Sequence, residues 1–280
     1  MKIGAYDVFT VETGYVSLDG GAMFGVVPKV LWSKTNPADE LNRIVLAMRT
    51  MVIKGNDRLI LVDAGVGHKL NEKLSKIYNV DHQAHDLEKD LKAHGLSVED
   101  FTDVIITHLH FDHTGGATTI RDGNVVPTFP NAKYYVQGEQ WYWANNPSEK
   151  DRASYMPENF IPIKEAGQLV ELEGPKELFP GIEVLVMYGH THGMQLVKVT
   201  DGEQTLLYCA DLMPTASHIP LPYIMAYDNN PLITLEEKKR LLPQIVRENW
   251  ILVFEHDPFR AAGRVIETDK GFRLGEEINL

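Results

Sequence analysis

Four apolar stretches of this chain each run into a single Asp or His. Leu59-Ile60-Leu61-Val62 leads to Asp63, residues 182–189 to His190, residues 205–210 to Asp211, and residues 250–255 to His256. A fifth, Asp103-Val104-Ile105-Ile106-Thr107, leads to His108-Leu109-His110-Phe111-Asp112-His113. Apolar runs this short suit buried strands. A carboxylate or imidazole at the end of a buried strand needs a partner, because unpaired burial of a polar group is costly. One such ending alone is more often a capped turn or a satisfied core group. The whole set points to strand ends that share one site, and a fold for this chain must bring them together.

The densest part is the segment 108–113. Side chains two apart on an extended chain point the same way, so His108 and His110 can converge on one ion. Asp112 and His113 then turn towards a second position nearby. Imidazole and carboxylate are ligands that suit zinc and its neighbours. Three His and one Asp within six residues, directly after an apolar run, are too concentrated for an ordinary polar loop.

The remaining patterning predicts strands at 3–10, 13–18, 44–54 and 58–63, and again at 181–188, 195–199, 205–210 and 250–255. Helices are expected at 69–78, 85–94, 139–145 and 235–248; the second has Leu87 and Leu91 on one face and stops at Gly95. Residues 19–28 carry Gly20, Gly21 and Gly25 and read as an irregular loop. No repeat or linker divides the chain, so a single domain over 1–280 is expected, of the α+β or α/β class, with packed sheets covered by helices.

Composition limits the partners. The 280 residues are 44% hydrophobic, enough for a large core, and carry a formal net charge of −12. A nucleic-acid or anionic-membrane partner would want a basic face, so neither is expected. Cys209 is the only cysteine, which rules out an intrachain disulfide and a Cys-rich zinc site. No run approaches the ~18 apolar residues needed to span a bilayer, and the first residues lack a signal-peptide pattern. A cytoplasmic location is the expectation.

Taken in order, the Asp63 turn, Thr107–Gly116, Gly189-His190-Thr191-His192-Gly193, Asp211 and His256 resemble the metallo-β-lactamase superfamily. The resemblance implies a four-layer αββα sandwich holding two divalent ions, zinc first and Mn, Fe or Co as alternatives. It implies His108, His110 and His190 on one ion, Asp112, His113 and His256 on the other, Asp211 bridging them, and Asp63 as a supporting group. The segments 18–28, 209–215 and 225–228 are similar to a quorum-quenching lactonase branch that also holds the methyl-parathion-type hydrolases. That similarity implies a hydroxide between the ions that opens the ring of N-acyl homoserine lactones, with phosphotriester or aryl ester hydrolysis as the alternative. Asp112 and Asp211 are then the catalytic carboxylates.

Two departures stand out. His192 and Met194 replace the proline and second histidine of the common Gly-His-Ser/Thr-Pro-Gly-His pattern. Pro214 stands where well-known lactonases carry a tyrosine that touches the substrate carbonyl. Tyr223 and Tyr227 are candidate replacements, and His218 is a candidate pocket residue. Met23, Phe24 and Val26 offer an acyl-chain surface, with a core anchor or a homodimer contact as the other reading. Trp141, Tyr142 and Trp143 read as helix packing, and Cys209 as core. His68, His82, His85, His94 and His192 are expected to be exposed or bonded to nearby backbone. The expected partner is a small neutral ester or lactone.

Overall fold

Backbone pairing draws the apolar runs into two seven-stranded sheets and one short hairpin. The computed structural model describes residues 1–280. In spatial order the first sheet is Lys2–Ile3, Tyr6–Asp19, Arg43–Gly55, Arg58–Val62, Asp103–Ile105, Lys133–Gln137 and Leu169–Leu172. The second runs Lys176–Phe179, Ile182–Met187, Met194–Thr200, Thr205–Tyr208, Ile251–Val253, Ala262–Thr268 and Gly271–Ile278. Thr118–Arg121 and Asn124–Pro127 form the hairpin. The chain divides into two compact units, residues 1–15 with 48–174, and residues 16–47 with 175–280.

In the first unit, Arg58–Val62, Asp103–Ile105 and Lys133–Gln137 are parallel, with Val62 opposite Ile105 and Ile105 opposite Tyr135. Their Leu61, Val104 and Tyr134 enter a core with Phe101, Phe129 and Phe160. A buried side chain of this kind contributes about 1.5–3 kcal/mol. The helix Leu87–Ala93 starts where Asp86 accepts the Lys89 N–H at 3.1 Å, and it buries Leu87 and Leu91. Trp141 is buried edge-on against Phe160, whereas Tyr142 projects outward.

In the second unit the register decides the site. Tyr208 pairs with Val253 in parallel strands, so Asp211 and His256, each three residues on, leave the sheet at the same level. Met187 pairs with Met194 in antiparallel strands, and His190 sits in the turn between them. The helix Pro231–Arg247 begins on Pro231, where the missing N–H costs nothing. Its buried face is Thr234, Glu237, Lys238, Leu241, Leu242 and Ile245.

Several expectations change. The strands expected at 3–10 and 13–18 are one strand, Tyr6–Asp19, because Gly14 at φ +129 carries the chain through the apparent break. The loop expected at 19–28 opens with a helical turn, Gly20–Phe24, capped where Asp19 accepts the Ala22 N–H at 2.8 Å. The last two strands carry mostly polar or exposed positions and gave no apolar run to read. No helix is long and apolar enough to cross a membrane.

Candidate metal centre

The first unit supplies five of the expected residues. After the strand Asp103–Ile105 the chain stays extended to His110, which begins the helical turn Phe111–Thr114. His108 and His110 therefore project to one side, with His108 Nε2 3.0 Å from His110 Nδ1. Asp112 and His113 lie on the turn itself, His113 Nε2 3.9 Å from Asp112 Oδ1. All four are buried. Asp63, fully buried at φ +59, accepts from Thr107 N–H at 2.7 Å and Thr107 Oγ1–H at 2.6 Å, and contacts His113 Nδ1 at 3.1 Å. Having given its proton to Asp63, Thr107 Oγ1 is an acceptor for His108 Nδ1 at 3.1 Å. One carboxylate thus orients two imidazoles and turns their Nε2 atoms the other way.

The glycines after the histidines have a steric cause. A Cβ on Gly115 would lie 1.8 Å from the Val66 carbonyl oxygen, and one on Gly116 2.1 Å from that of Ala64. Gln140 accepts the Leu109 N–H at 3.1 Å and holds the middle of the ligand segment.

The second unit supplies three more. His190 Nε2 is 3.1 Å from Asp211 Oδ2, and His256 Nε2 is 3.2 Å from Asp211 Oδ1. One buried carboxylate thus has a different imidazole on each oxygen. His190 Nδ1 bonds Asp228 at 2.9 Å, and Asp228 accepts from Thr234 Oγ1 at 2.7 Å. His256 Nδ1 donates to the Ala47 carbonyl at 2.9 Å. Glu237 accepts the Tyr188 and Gly189 N–H groups at 2.6 and 3.2 Å, which ties the His190 turn to the helix. Burial raises the pKa of Glu237, and those backbone N–H bonds work against the rise.

Both sets fit a divalent metal. Donor atoms held about 2.0–2.1 Å from one tetrahedral zinc lie about 3.3 Å from each other. The separations of 3.0, 3.1 and 3.2 Å are close to that. Where the Nδ1 atoms of His108, His113, His190 and His256 are engaged, the Nε2 lone pairs are left for a ligand role, as metal-binding histidines require.

The expected substrate residues are placed differently. Met23 and Phe24 are buried at 1% and 0% exposure, which is the core-anchor reading, while Val26 is 91% exposed. His218 is buried rather than lining an open surface. Its Nδ1 bonds Thr215 and its Nε2 the Met23 carbonyl, both at 2.8 Å, and its ring stacks on Phe24 at 4.6 Å. Burial lowers its pKa to about 4. Tyr223 is half-buried, edge-on to Phe24, and Tyr227 is exposed. Pro214 uses its carbonyl to accept the His256 N–H at 2.9 Å. Cys209 is fully buried, and burial pushes its thiol pKa up. His82 is bonded to backbone as expected, and His94 is exposed and stacks on Phe9. His68 is exposed as expected and meets the Asp86 carboxylate, while half-buried His85 instead meets that of Asp90.

Thr107, Gln140, Thr234 and Glu237 carried no readable signal, since each acts through a partner at least 31 positions away or, for Thr107 and Thr234, through a hydroxyl common in any chain. Asp228 was visible only as the end of the segment 225–228.

The model of the metallo-beta-lactamase superfamily matches residues 49–256. The chain belongs to the metallo-β-lactamase superfamily. Its fold is the family's, of mixed α and β content with sheets flanked by helices in one domain. Its His/Asp clusters have the donor types that a divalent metal takes. It is 28% identical over 190 residues to the N-acyl homoserine lactonase AiiA of Bacillus thuringiensis subsp. kurstaki, covering 67% of this chain and 65% of that protein. It thus spans just under two thirds of the length of these lactonases. A probable metal-dependent hydrolase from Staphylococcus aureus superimposes with a TM-score of 0.91 at 31% identity, over 100% of this chain and 99% of the other. AidC, a dizinc quorum-quenching lactonase solved with a product, superimposes at 0.82 with 22% identity, over 100% and 97%, and shows the shared fold.

Proposed function

We propose that the chain is a dinuclear metal-dependent hydrolase that opens the lactone ring of N-acyl homoserine lactones. The observation that carries the dinuclear part is Asp211, with His190 at one carboxylate oxygen and His256 at the other. A carboxylate so placed could serve two ions. By the order of the family's motifs, His108, His110 and His190 would hold the first ion with Asp211, and Asp112, His113 and His256 the second. When bound, two such ions, zinc by preference for this donor set, supply a water-derived nucleophile and Lewis acidity near neutral pH.

Asp211 and Asp112 are the carboxylates that would carry a proton to the leaving oxygen. Asp63 and Asp228 hold the imidazole rings in register. Among the residues of 19–28, Val26 has the surface to meet an acyl chain, and Tyr223 and Tyr227 are the first phenols that follow Pro214 in the sequence.

The lactone assignment is supported by the similarity to AiiA, a lactonase by name. The other reading, an aryl ester or phosphotriester, needs the same metal chemistry and a different pocket. A panel of acyl homoserine lactones, simple lactones, aryl esters and phosphotriesters on zinc-loaded protein decides between them. Lactones should turn over fastest; equal rates on generic esters would overturn the substrate assignment. A metal content below one ion per chain would overturn the dinuclear one.

A further inference from the structure

A second cluster of ligand-type side chains lies within the first unit, beginning five residues after Asp63. His68 Nε2 sits against Asp86 Oδ2, and the rings of His68 and His82 are 4.2 Å apart at 44°. Ligand atoms of the three residues fall close enough to share one ion. They stand on the wall of a cavity of about 360 Å³ that the proposed hydrolase reaction does not use.

His82 carries the first argument. Its Nδ1 is 3.1 Å from the Thr13 carbonyl oxygen and its Nε2 is 3.0 Å from that of Gly67. A neutral imidazole has one N–H, so it donates to only one of these carbonyls. The other nitrogen turns its lone pair towards an oxygen, a repulsive arrangement that either a proton or a metal ion on that lone pair relieves, and with His68 and Asp86 beside it a metal ion has three ligands. His68 adds a second imidazole and Asp86 a negative charge at the same spot, while the Lys69 ammonium is spent on the carbonyls of Gly115 and Thr118.

Thr128 carries the second. It lines the same cavity, is 2% exposed, and its Oγ1 has no hydrogen-bond partner. A hydroxyl buried so far is normally paired, and the cavity has ample room for a ligand with its own water.

We propose that His68, His82 and Asp86 bind a divalent cation of the zinc type at a site separate from the dinuclear centre. Two imidazoles and a carboxylate form a zinc-type donor set, and the cavity provides the entry path and the water that completes the shell. His68 and His82 are fourteen positions apart, so the ion cross-links the segment that follows Asp63 to the stretch before the helix Leu87–Ala93. The role is structural: it braces the chain behind the catalytic ligands without touching substrate.

The test compares the holo wild type with His68→Gln and Asp86→Asn, each dialysed in buffer of fixed free zinc and assayed by atomic emission. His68 is 64% exposed at its side chain, and Asn at 86 keeps the cap on Lys89, so both variants retain the fold. Each should hold about one ion per chain fewer than the wild type, and lose the rise in Tm that excess zinc gives the wild type. Equal zinc contents in all three proteins would overturn the proposal, as would an equal rise in Tm. The difference between wild type and variant is what is read, so failure of the dinuclear reading would lower all three totals and leave the difference in place. Cobalt substitution gives a second readout, a d–d band in the wild type that is weaker in both variants; identical spectra would count against the site.

Discussion

Replacing Asp63 by Asn isolates what one buried carboxylate does for the ligand segment. Asp63 is fully buried and holds Thr107 N–H at 2.7 Å, Thr107 Oγ1 at 2.6 Å and His113 Nδ1 at 3.1 Å. The amide oxygen of Asn can keep the backbone bond. Its NH₂ group, though, faces Thr107 Oγ1 and His113 Nδ1, two positions where the carboxylate accepted. Thr107 must turn its proton elsewhere, and His113 must move its proton to Nε2, the nitrogen needed for metal. Two charge-assisted hydrogen bonds at about 1.5–3 kcal/mol each put the loss at roughly 3–6 kcal/mol. The tautomer change should weaken zinc binding by about 10–100-fold, the usual cost of losing a group that orients a metal-bound histidine. Urea unfolding of the metal-free proteins reads the first effect, and competition with a chromophoric chelator reads the second. A loss below about 1 kcal/mol with unchanged zinc affinity would refute the reasoning, and would mean that packing alone holds the segment.

Three further outcomes follow from the same structure. Asp211→Ala, made in the Asp86→Asn background so that only the dinuclear centre is counted, should reduce retained zinc from about two ions to fewer than one, since both oxygens face imidazoles; metal analysis after dialysis checks it. Gly115→Ala should cost about 2–4 kcal/mol in urea, because the new methyl would lie 1.8 Å from a carbonyl oxygen that belongs to backbone. Burial lowers the His218 pKa from 6.5 to about 4, so the folded chain keeps it neutral while the unfolded chain protonates it. Stability from this group is present above about pH 6.5 and is lost as pH falls towards about 4, by up to about 3 kcal/mol. His218→Gln should flatten that part of the stability–pH curve, and an unchanged slope would contradict it.

His108, His190, Asp211 and His256 stood out because each follows an apolar run, and burial of the run forces the polar residue at its end to find company. The extended-then-turned path through 108–113 also followed from spacing, since His108 and His110 are two apart. Of the residues that orient the imidazoles, Asp63 was singled out as the end of an apolar run, although its partner His113 lies 50 positions away. Asp228, which reaches His190 from 38 positions away, follows no such run, and its role exists only after the strands pair. Phe24 and Met23 illustrate a different limit. An apolar residue beside three glycines looks like an exposed loop, and only the contact with Trp32 and His218 reveals a core position. Pro231 at the start of its helix and Gly14 inside a strand are both usual breakers that the backbone accommodates.

The pairing of Tyr208 with Val253 has an evolutionary consequence. Asp211 and His256 owe their common level to main-chain hydrogen bonds, which are indifferent to side-chain identity. Substitutions along those strands can therefore accumulate without moving the two ligands apart, provided that no residue is inserted or lost between strand and ligand. Within the segments 19–28 and 214–228, which lie outside that ladder, exposed positions such as Val26 and Tyr227 have room to vary, whereas Phe24, His218 and Asp228 are held by their contacts. At position 214 the demand likewise falls on the backbone, since the Pro214 carbonyl holds the His256 N–H and the side chain there takes no part.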